Sequence, residues 1–232
     1  MRVSFIVPAF NEAATIEELL RRVDELDLDK QVIVVDDGST DRTGEILKLW
    51  KDGGGARLVL RQPNGGKGAA IRAAIPHVNG EIAVIQDADL EYDPADVPAL
   101  VEPIDRGVAD VVFGSRLTGG RPQRAYLFWH LVGNRFLSLV TNVLYNTTLH
   151  DIETGYKAFR ADVLRSLDMR QDDFRVEAEI TAKVCLLGLR IYELPIAYYG
   201  RTYAEGKKVT WRDGVKALAI LVKLRFGRRR AG

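Results

Sequence analysis

Apolar residues follow two rhythms that alternate along the first half of the chain. Short runs at 3–7, 32–35, 82–86 and 109–113, with a further short one at 57–61, read as strands buried on both faces. Between them apolar positions recur at helical spacing: Ile16, Leu19, Leu20 and Val23; then Ile46, Leu47 and Trp50; then stretches at 68–78 and 94–106. Asn11 is expected to cap the first helix and Ser39 or Thr40 the second. Strands alternating with single helices predict an α/β fold with a mostly parallel sheet covered on both faces.

After Arg116 the rhythm changes. A Gly/Pro/Arg loop at 118–124 leads into a helix at 126–145, with Phe128, Val132, Phe136, Leu139, Val140, Val143 and Leu144 along one face. A strand at 154–159, a helix at 176–187, a strand at 190–196 and a polar loop, GRTYAEGKK, follow. The stretch 211–226 is an amphipathic basic helix, with Trp211, Val215, Leu218, Ala219, Val222 and Phe226 on one face. No internal repeat interrupts this order. The expected division is a catalytic domain at 1–206 and a basic helix and tail at 207–232.

With 232 residues, 47% of them hydrophobic and 28% charged, the chain can bury a sizeable core, which excludes disordered and fibrous classes. The net charge of +1 hides an asymmetry: residues 207–232 carry +8, the remainder −7. Such a tail calls for an anionic partner, and its apolar face makes an anionic membrane surface the expected one, with no nucleic acid. Cys185 has no partner for an internal disulfide and suits a reducing compartment. No signal peptide and no uninterrupted apolar span is visible, so the expected location is cytoplasmic, peripheral on the inner face of the membrane.

Candidate chemistry gathers where strands end. The run IAVIQDADLEYDP passes from a strand into Asp87, Asp89 and Glu91. Alternate residues of an extended chain point the same way, and like charges so placed are unfavourable without a cation between them. A divalent ion with oxygen ligands, Mg²⁺ or Mn²⁺, meets that need. An acidic surface turn is the plain alternative, but a second acidic pair, Asp36 and Asp37, also ends a strand. In open parallel sheets ligands bind at the carboxyl ends of strands, where PAFNE (8–12), Asp36–Asp37, Asp87–Glu91 and Gly114–Arg116 all fall.

Other motifs carry less. NGGKGAA lacks the spacing of a phosphate-binding P-loop, and leaves a Gly-rich turn at Gly66 and Lys67 able to approach a ligand at a helix start. The three histidines lack metal-ligand spacing. Arg116 and Arg201 sit in Gly-flanked turns, GSR and GRT, and could clamp phosphate oxygens. Asp151 and Glu153 read as surface capping slightly ahead of catalysis.

Taken together, PAFNE, VVDDGSTD, NGGKGAA, DADLEYDP and VFGSR resemble glycosyltransferase family 2, and DIETGYKAFR with GRTYAEGKK resembles its dolichyl- and polyprenyl-phosphate sugar synthase branch. The resemblance implies a GT-A fold, a nucleotide-diphosphate sugar donor of the GDP-mannose or UDP-glucose type, and inverting transfer of a hexose to a polyprenyl or dolichyl phosphate. It further implies that Pro8, Phe10, Asn11, Glu12 and Val35 line the nucleotide pocket, with Asp37 on the base and Gly66 and Lys67 close to the donor. Asp87, Ala88 and Asp89 would hold ribose, diphosphate and metal, with Glu91 a further metal ligand where the branch often has Gln. Phe10 stands in place of a more usual Tyr. Arg116, Arg201 and Lys207 would contact phosphates, and Asp151 would orient the acceptor or an arginine. A separate membrane-anchoring subunit is a further partner of this branch. A metal-dependent phosphohydrolase would share the D-x-D but leaves Asp36–Asp37 and GRTYAEGKK unexplained; a non-catalytic nucleotide-sugar-binding protein would not need an intact D-x-D.

Overall fold

The computed structural model describes residues 1–125, 127–202 and 211–227. Strands β1 (Val3–Ala9), β2 (Lys30–Asp36), β3 (Arg57–Arg61), β4 (Ile82–Ile85), β5 (Val111–Ser115), β6 (Lys157–Arg160) and β7 (Ile191–Pro195) form one sheet in the order β3-β2-β1-β4-β6-β5-β7. All neighbours are parallel except β6, which runs antiparallel to β4 and β5. Helices α1 (Ile16–Asp24), α2 (Thr43–Asp52), α3 (Lys67–Ala74), α4 (Val97–Asp105), α5 (Phe128–Tyr145), α6 (Ala161–Ser166), α7 (Val176–Leu186) and α8 (Trp211–Phe226) complete the chain. The pleat of β1 explains the two-sided core. Val3, Phe5 and Val7 pack with α1 and α4, while Ile6 faces Ile71, Phe113 and Phe159 on the opposite side.

Several expected boundaries move, each for a physical reason. The helix expected at 94–106 begins as a 3₁₀ turn, Pro94–Asp96, before α4, because Pro98 has no N–H to continue an α-helical ladder back to residue 94. The strand expected at 154–159 starts at Lys157. Asn11 does not cap α1: its φ of 54° is left-handed, and its Oδ1 accepts the Thr40 N–H at 2.8 Å. Ser39 and Thr40 do not cap α2, which begins at Thr43, where Asp41 accepts the Thr43 N–H at 2.9 Å. The Ser39 hydroxyl accepts the Asn11 N–H at 3.0 Å, so three expected caps tie the ends of β1 and β2 together.

Two helices on the α7 side differ most from expectation. α5 buries Leu137, Ser138 and Thr141, leaving Val132, Phe136, Leu139 and Val143 exposed. α8 packs on α5 and α7 through Ala217, Ile220 and Leu221, in the same buried cluster as Ile6 and Ile85. Its Val215, Ala219, Val222 and Phe226 remain exposed. Among the described residues no helix is long and apolar enough to cross a membrane.

Candidate active site

β4 delivers Asp87 and Asp89 to the carboxyl edge of the sheet, and each is held differently. Asp87 pairs with Lys67 at 2.6 Å, and Lys67 pairs in turn with Glu177 of α7 at 2.9 Å. Burial alone would lower the Lys67 pKa; the two carboxylates outweigh it and hold it well above the ordinary range. Glu177 also binds Lys157 of β6, so a buried chain of alternating charge runs from β6 to Asp87. A Cβ at Gly155 would run into the Asp87 carboxylate and lie 2.8 Å from Lys67 Nζ, which explains the glycine there.

Asp89 accepts the Glu91 N–H at 3.0 Å through Oδ1, while Oδ2 lies 3.5 Å from Arg201 Nη2. That guanidinium donates to Glu12 at 2.9 Å. Glu91 accepts the Arg201 N–H at 2.7 Å and the Tyr198 hydroxyl at 2.9 Å, stapling the 198–201 segment across the site. Both Glu91 oxygens are therefore engaged by this segment, and Asp87, Asp89 and Glu91 do not converge on one point. Among the described residues no three His, Cys, Asp or Glu side chains are gathered as a ready-made metal site. Asp87 and Asp89 nevertheless present hard oxygen donors, partly open to solvent, at the sheet edge, a donor set that fits Mg²⁺ or Mn²⁺.

Arg116 is locked rather than free. Its Nε and Nη2 bind both oxygens of Asp151 at 2.7 Å, and its N–H adds a third bond at 2.9 Å. Asn134 of α5 donates to the same carboxylate at 2.7 Å. Asp151 is fully buried, and although burial would raise its pKa, Arg116 holds it below the ordinary value. The expected surface-capping role of Asp151 is thus replaced by a buried one, with every oxygen committed. Arg116 also lies 5.1 Å from the Tyr198 ring centroid. Glu153, two residues on, has one buried oxygen with no hydrogen-bond partner. Burial, reinforced by Glu177, pushes its carboxyl up to about 7, against Lys157 and Arg116.

At the end of β2, Asp37 accepts from Gln62 at 2.7 Å, Gly65 N–H at 2.9 Å and Gly66 N–H at 2.7 Å. It clamps the Gly-rich turn, where Gly66 has a φ of 92° and a Cβ would meet the Asp172 carbonyl.

A cavity of about 1190 Å³ joins several of these groups. Its polar lining includes Glu12, Lys67, Asp87, Asp89, Arg116 and Arg201; its apolar lining comes from α5 and α8, notably Phe128, Trp129, Phe136, Leu137, Val215 and Leu218. Glu91 and Glu153 also face it, whereas Pro8, Phe10, Asn11, Val35, Asp37, Gly66, Ala88 and Asp151 do not line it. Lys207 lies outside the described residues. Glu177, Lys157, Asn134, Tyr92 and Tyr198 belong to the site and were not singled out by sequence. Glu177 shares the first turn of α7 with a second glutamate, Glu179, so nothing in the local sequence marked it out.

The chain is similar to polyprenyl-phosphate sugar transferases. It is 30% identical to an undecaprenyl-phosphate mannosyltransferase of Micrococcus luteus, over 98% of this chain and 94% of that protein. It is 30% identical to glycosyltransferase AglJ of Haloferax volcanii and 28% identical to a dolichol-phosphate mannosyltransferase of Pyrococcus furiosus, matching 86% and 89% of this chain. It spans only 63% and 59% of the length of those two relatives. Among solved structures, glucosyl-3-phosphoglycerate synthase of Mycobacterium tuberculosis, in complex with Mn²⁺, UDP and glucosyl-3-phosphoglycerate, superposes with a TM-score of 0.73 at 23% identity, over 100% of this chain and 82% of that one. That likeness establishes the GT-A type of fold. The family model described as Glycosyl transferase family 2 matches residues 4–168, and the chain belongs to that family.

Proposed function

We propose that the protein transfers a hexose, with inversion, from a nucleotide-diphosphate sugar to the phosphate of a polyprenyl or dolichyl lipid. The observation that carries this reading is the two-sided cavity, with carboxylates and arginines on one wall and α5 and α8 side chains on the other. An acceptor with an ionic head and a hydrocarbon tail suits both walls; a small soluble acid leaves the apolar wall without a use. The similarity to undecaprenyl- and dolichol-phosphate mannosyltransferases supports the same choice.

In this reaction an acceptor phosphate oxygen forms a bond to the anomeric carbon. The bond from that carbon to the donor's diphosphate breaks, and the nucleoside diphosphate leaves with the electron pair. A phosphate monoester is already anionic near neutral pH, so no strong general base is required. That fits a site where Asp151 is spent on Arg116. Arg116 and Arg201 supply positive charge beside the reacting phosphates, while Glu12 and Asp151 hold the two guanidiniums in place. Asp89, with Asp87, would hold a divalent ion. When bound, such an ion neutralises charge on the departing diphosphate. Lys67, 2.6 Å from Asp87, holds that carboxylate at the cavity wall.

The test is transfer of labelled hexose from a panel of UDP- and GDP-sugars into the organic phase, with prenyl phosphate, the matching prenyl alcohol, and chelator as arms. Transfer to the phosphate, lost in chelator and absent with the alcohol, is expected. Hydrolysis of simple phosphate esters without lipid would point to a phosphohydrolase. Donor binding without turnover on any acceptor would leave a binding protein.

A further inference from the structure

Among the described residues, the carboxylates lining the cavity have a charged or N–H partner, with one exception. Glu12 and Asp89 meet Arg201, Asp87 and Glu177 meet Lys67, and Glu91 accepts the Arg201 N–H. Glu153 differs: its Oε1 is buried and has no hydrogen-bond partner among the described residues. A buried carboxyl oxygen left unpaired costs stability, and its retention calls for a reason. The backbone around it is fixed. Lys157 Nζ donates to the carbonyls on either side, that of Ile152 at 3.3 Å and that of Thr154. The Gly155 N–H donates to the Tyr92 hydroxyl at 3.1 Å, and the Asp151 N–H to Glu193 at 2.9 Å. Ile152 and Thr154 are fully buried to either side, while Glu153 lines the cavity. A rigid backbone presenting an uncommitted polar head is the arrangement of a group that reads a ligand.

Charge selects what it reads. Around Glu153, three carboxylates, Asp87, Asp151 and Glu177, are paired with three cations, Lys67, Arg116 and Lys157. The neighbourhood is therefore balanced when Glu153 is neutral. Burial pushes its carboxyl up to about 7, reinforced by Glu177 and opposed by Lys157 and Arg116, so both protonation states are present near neutral pH. A phosphate is repelled by the ionised form, and a hydrocarbon leaves the oxygen unpaired. A sugar hydroxyl suits both forms: it donates to the carboxylate, and it either accepts from or donates to the carboxylic acid. The loop also places Glu153 near the charged edge, since a Cβ at Gly155, two residues on, would run into the Asp87 carboxylate.

We propose that Glu153 binds a hydroxyl group of the hexose being transferred and so selects among donor sugars. The assignment rests on the sugar-transfer reading above, and adds to it a residue that reads the sugar rather than the nucleotide.

The experiment isolates the hexose's share of donor binding. Full-length wild type, Glu153→Gln and Glu153→Leu are titrated calorimetrically, in Mn²⁺, with UDP, GDP, UDP-glucose, GDP-mannose and the monodeoxy forms of both sugar nucleotides. Circular dichroism melts and transfer to a prenyl phosphate are measured in parallel. For the sugar nucleotide that wild type binds more tightly, Glu153→Leu should lose at least about tenfold in affinity. Its affinity for the bare nucleoside diphosphate should not change. Glu153→Gln keeps a hydrogen-bonding head and should lose less. One monodeoxy donor should bind wild type as weakly as the parent donor binds Glu153→Leu, and Glu153→Leu should not weaken it further. An equal loss for sugar nucleotide and bare diphosphate marks a structural role and overturns the proposal. So does a loss of the same size with every monodeoxy donor, or no loss at all. Transfer to prenyl phosphate with donor binding indifferent to Glu153 overturns this contact alone. A hexose contribution that depends on Glu153, without transfer to any prenyl phosphate, keeps the contact and refutes the acceptor. No binding of any of these nucleotides by wild type overturns both.

Discussion

β2 and β4 each run from buried apolar residues into two acidic ones, Asp36–Asp37 and Asp87–Asp89. After β2, the acids serve the chain itself. Asp36 Oδ1 accepts the Ser39 N–H at 2.9 Å, Asp37 takes two hydrogen bonds from the Gly-rich turn and one from the Gln62 side chain, and neither lines the cavity. After β4, Asp87 and Asp89 face the cavity, balanced by Lys67 and Arg201, while Asp36 has its own cation, Arg61, 3.5 Å from it and outside the cavity lining. The same strand-then-acid pattern thus builds a turn in one place and a reactive edge in the other. What separates them is the supply of local N–H donors: the Ser39 and glycine amides curl back onto the first pair, while only the Glu91 N–H reaches the second.

Substitutions can break this contrast. The largest expected effect is at Asp89: Asp89→Asn should reduce transfer by at least about two to three decades with little change in melting temperature. Wild-type turnover in that variant would erase the distinction between the two acidic ends. Arg116→Ala comes next, because it strands Asp151 as an uncompensated buried charge. A destabilisation of about 3–5 kcal/mol in urea unfolding is expected, along with loss of transfer. A stability loss under about 1 kcal/mol would mean the pair is not closed in solution.

Glu153 gives a pH signature. Its folded carboxyl, pushed up to about 7 from 4.5, keeps a proton that the unfolded chain has released between those values. Its contribution to stability is therefore full below the lower value and lost as pH rises through the higher one. The size is up to about 3 kcal/mol. Urea unfolding at about pH 5 and about pH 8 should show this slope in wild type and a flatter one in Glu153→Gln; identical slopes would contradict the assignment. The smallest effect is at Asp37. Asp37→Asn should cost about 1–3 kcal/mol of stability by leaving turn amides unpaired, with transfer falling far less than in Asp89→Asn.

Much of the fold was legible because strands covered on both faces show as near-continuous apolar runs, and β1, β2 and β4 all do. Asp87 and Asp89 were legible because the strand end fixes their side of the sheet. Glu177 and Lys157 were not: their pairing with Lys67 and Asp87 joins α3, β4, β6 and α7, and no local spacing encodes it. Glu91 sits beside the aspartates in sequence yet turns to Tyr198, a residue 107 positions away. Helical periodicity located the apolar face of α5, but periodicity reports that a face exists and not what covers it. The same limit applies to α8, where Ala217, Ile220 and Leu221 dock while the more conspicuous Val215, Val222 and Phe226 face outward.

The central claim is that one cavity serves a charged donor on one wall and a hydrocarbon-tailed acceptor on the other. Its most direct test is the acceptor KM and kcat at saturating donor for prenyl phosphates of increasing chain length, with a soluble phosphate monoester as the zero-tail reference. The account predicts that KM falls steeply as the tail lengthens and then levels once the α5–α8 wall is filled, while kcat stays nearly constant. A KM for the soluble monoester equal to that of the long-chain lipid would contradict it.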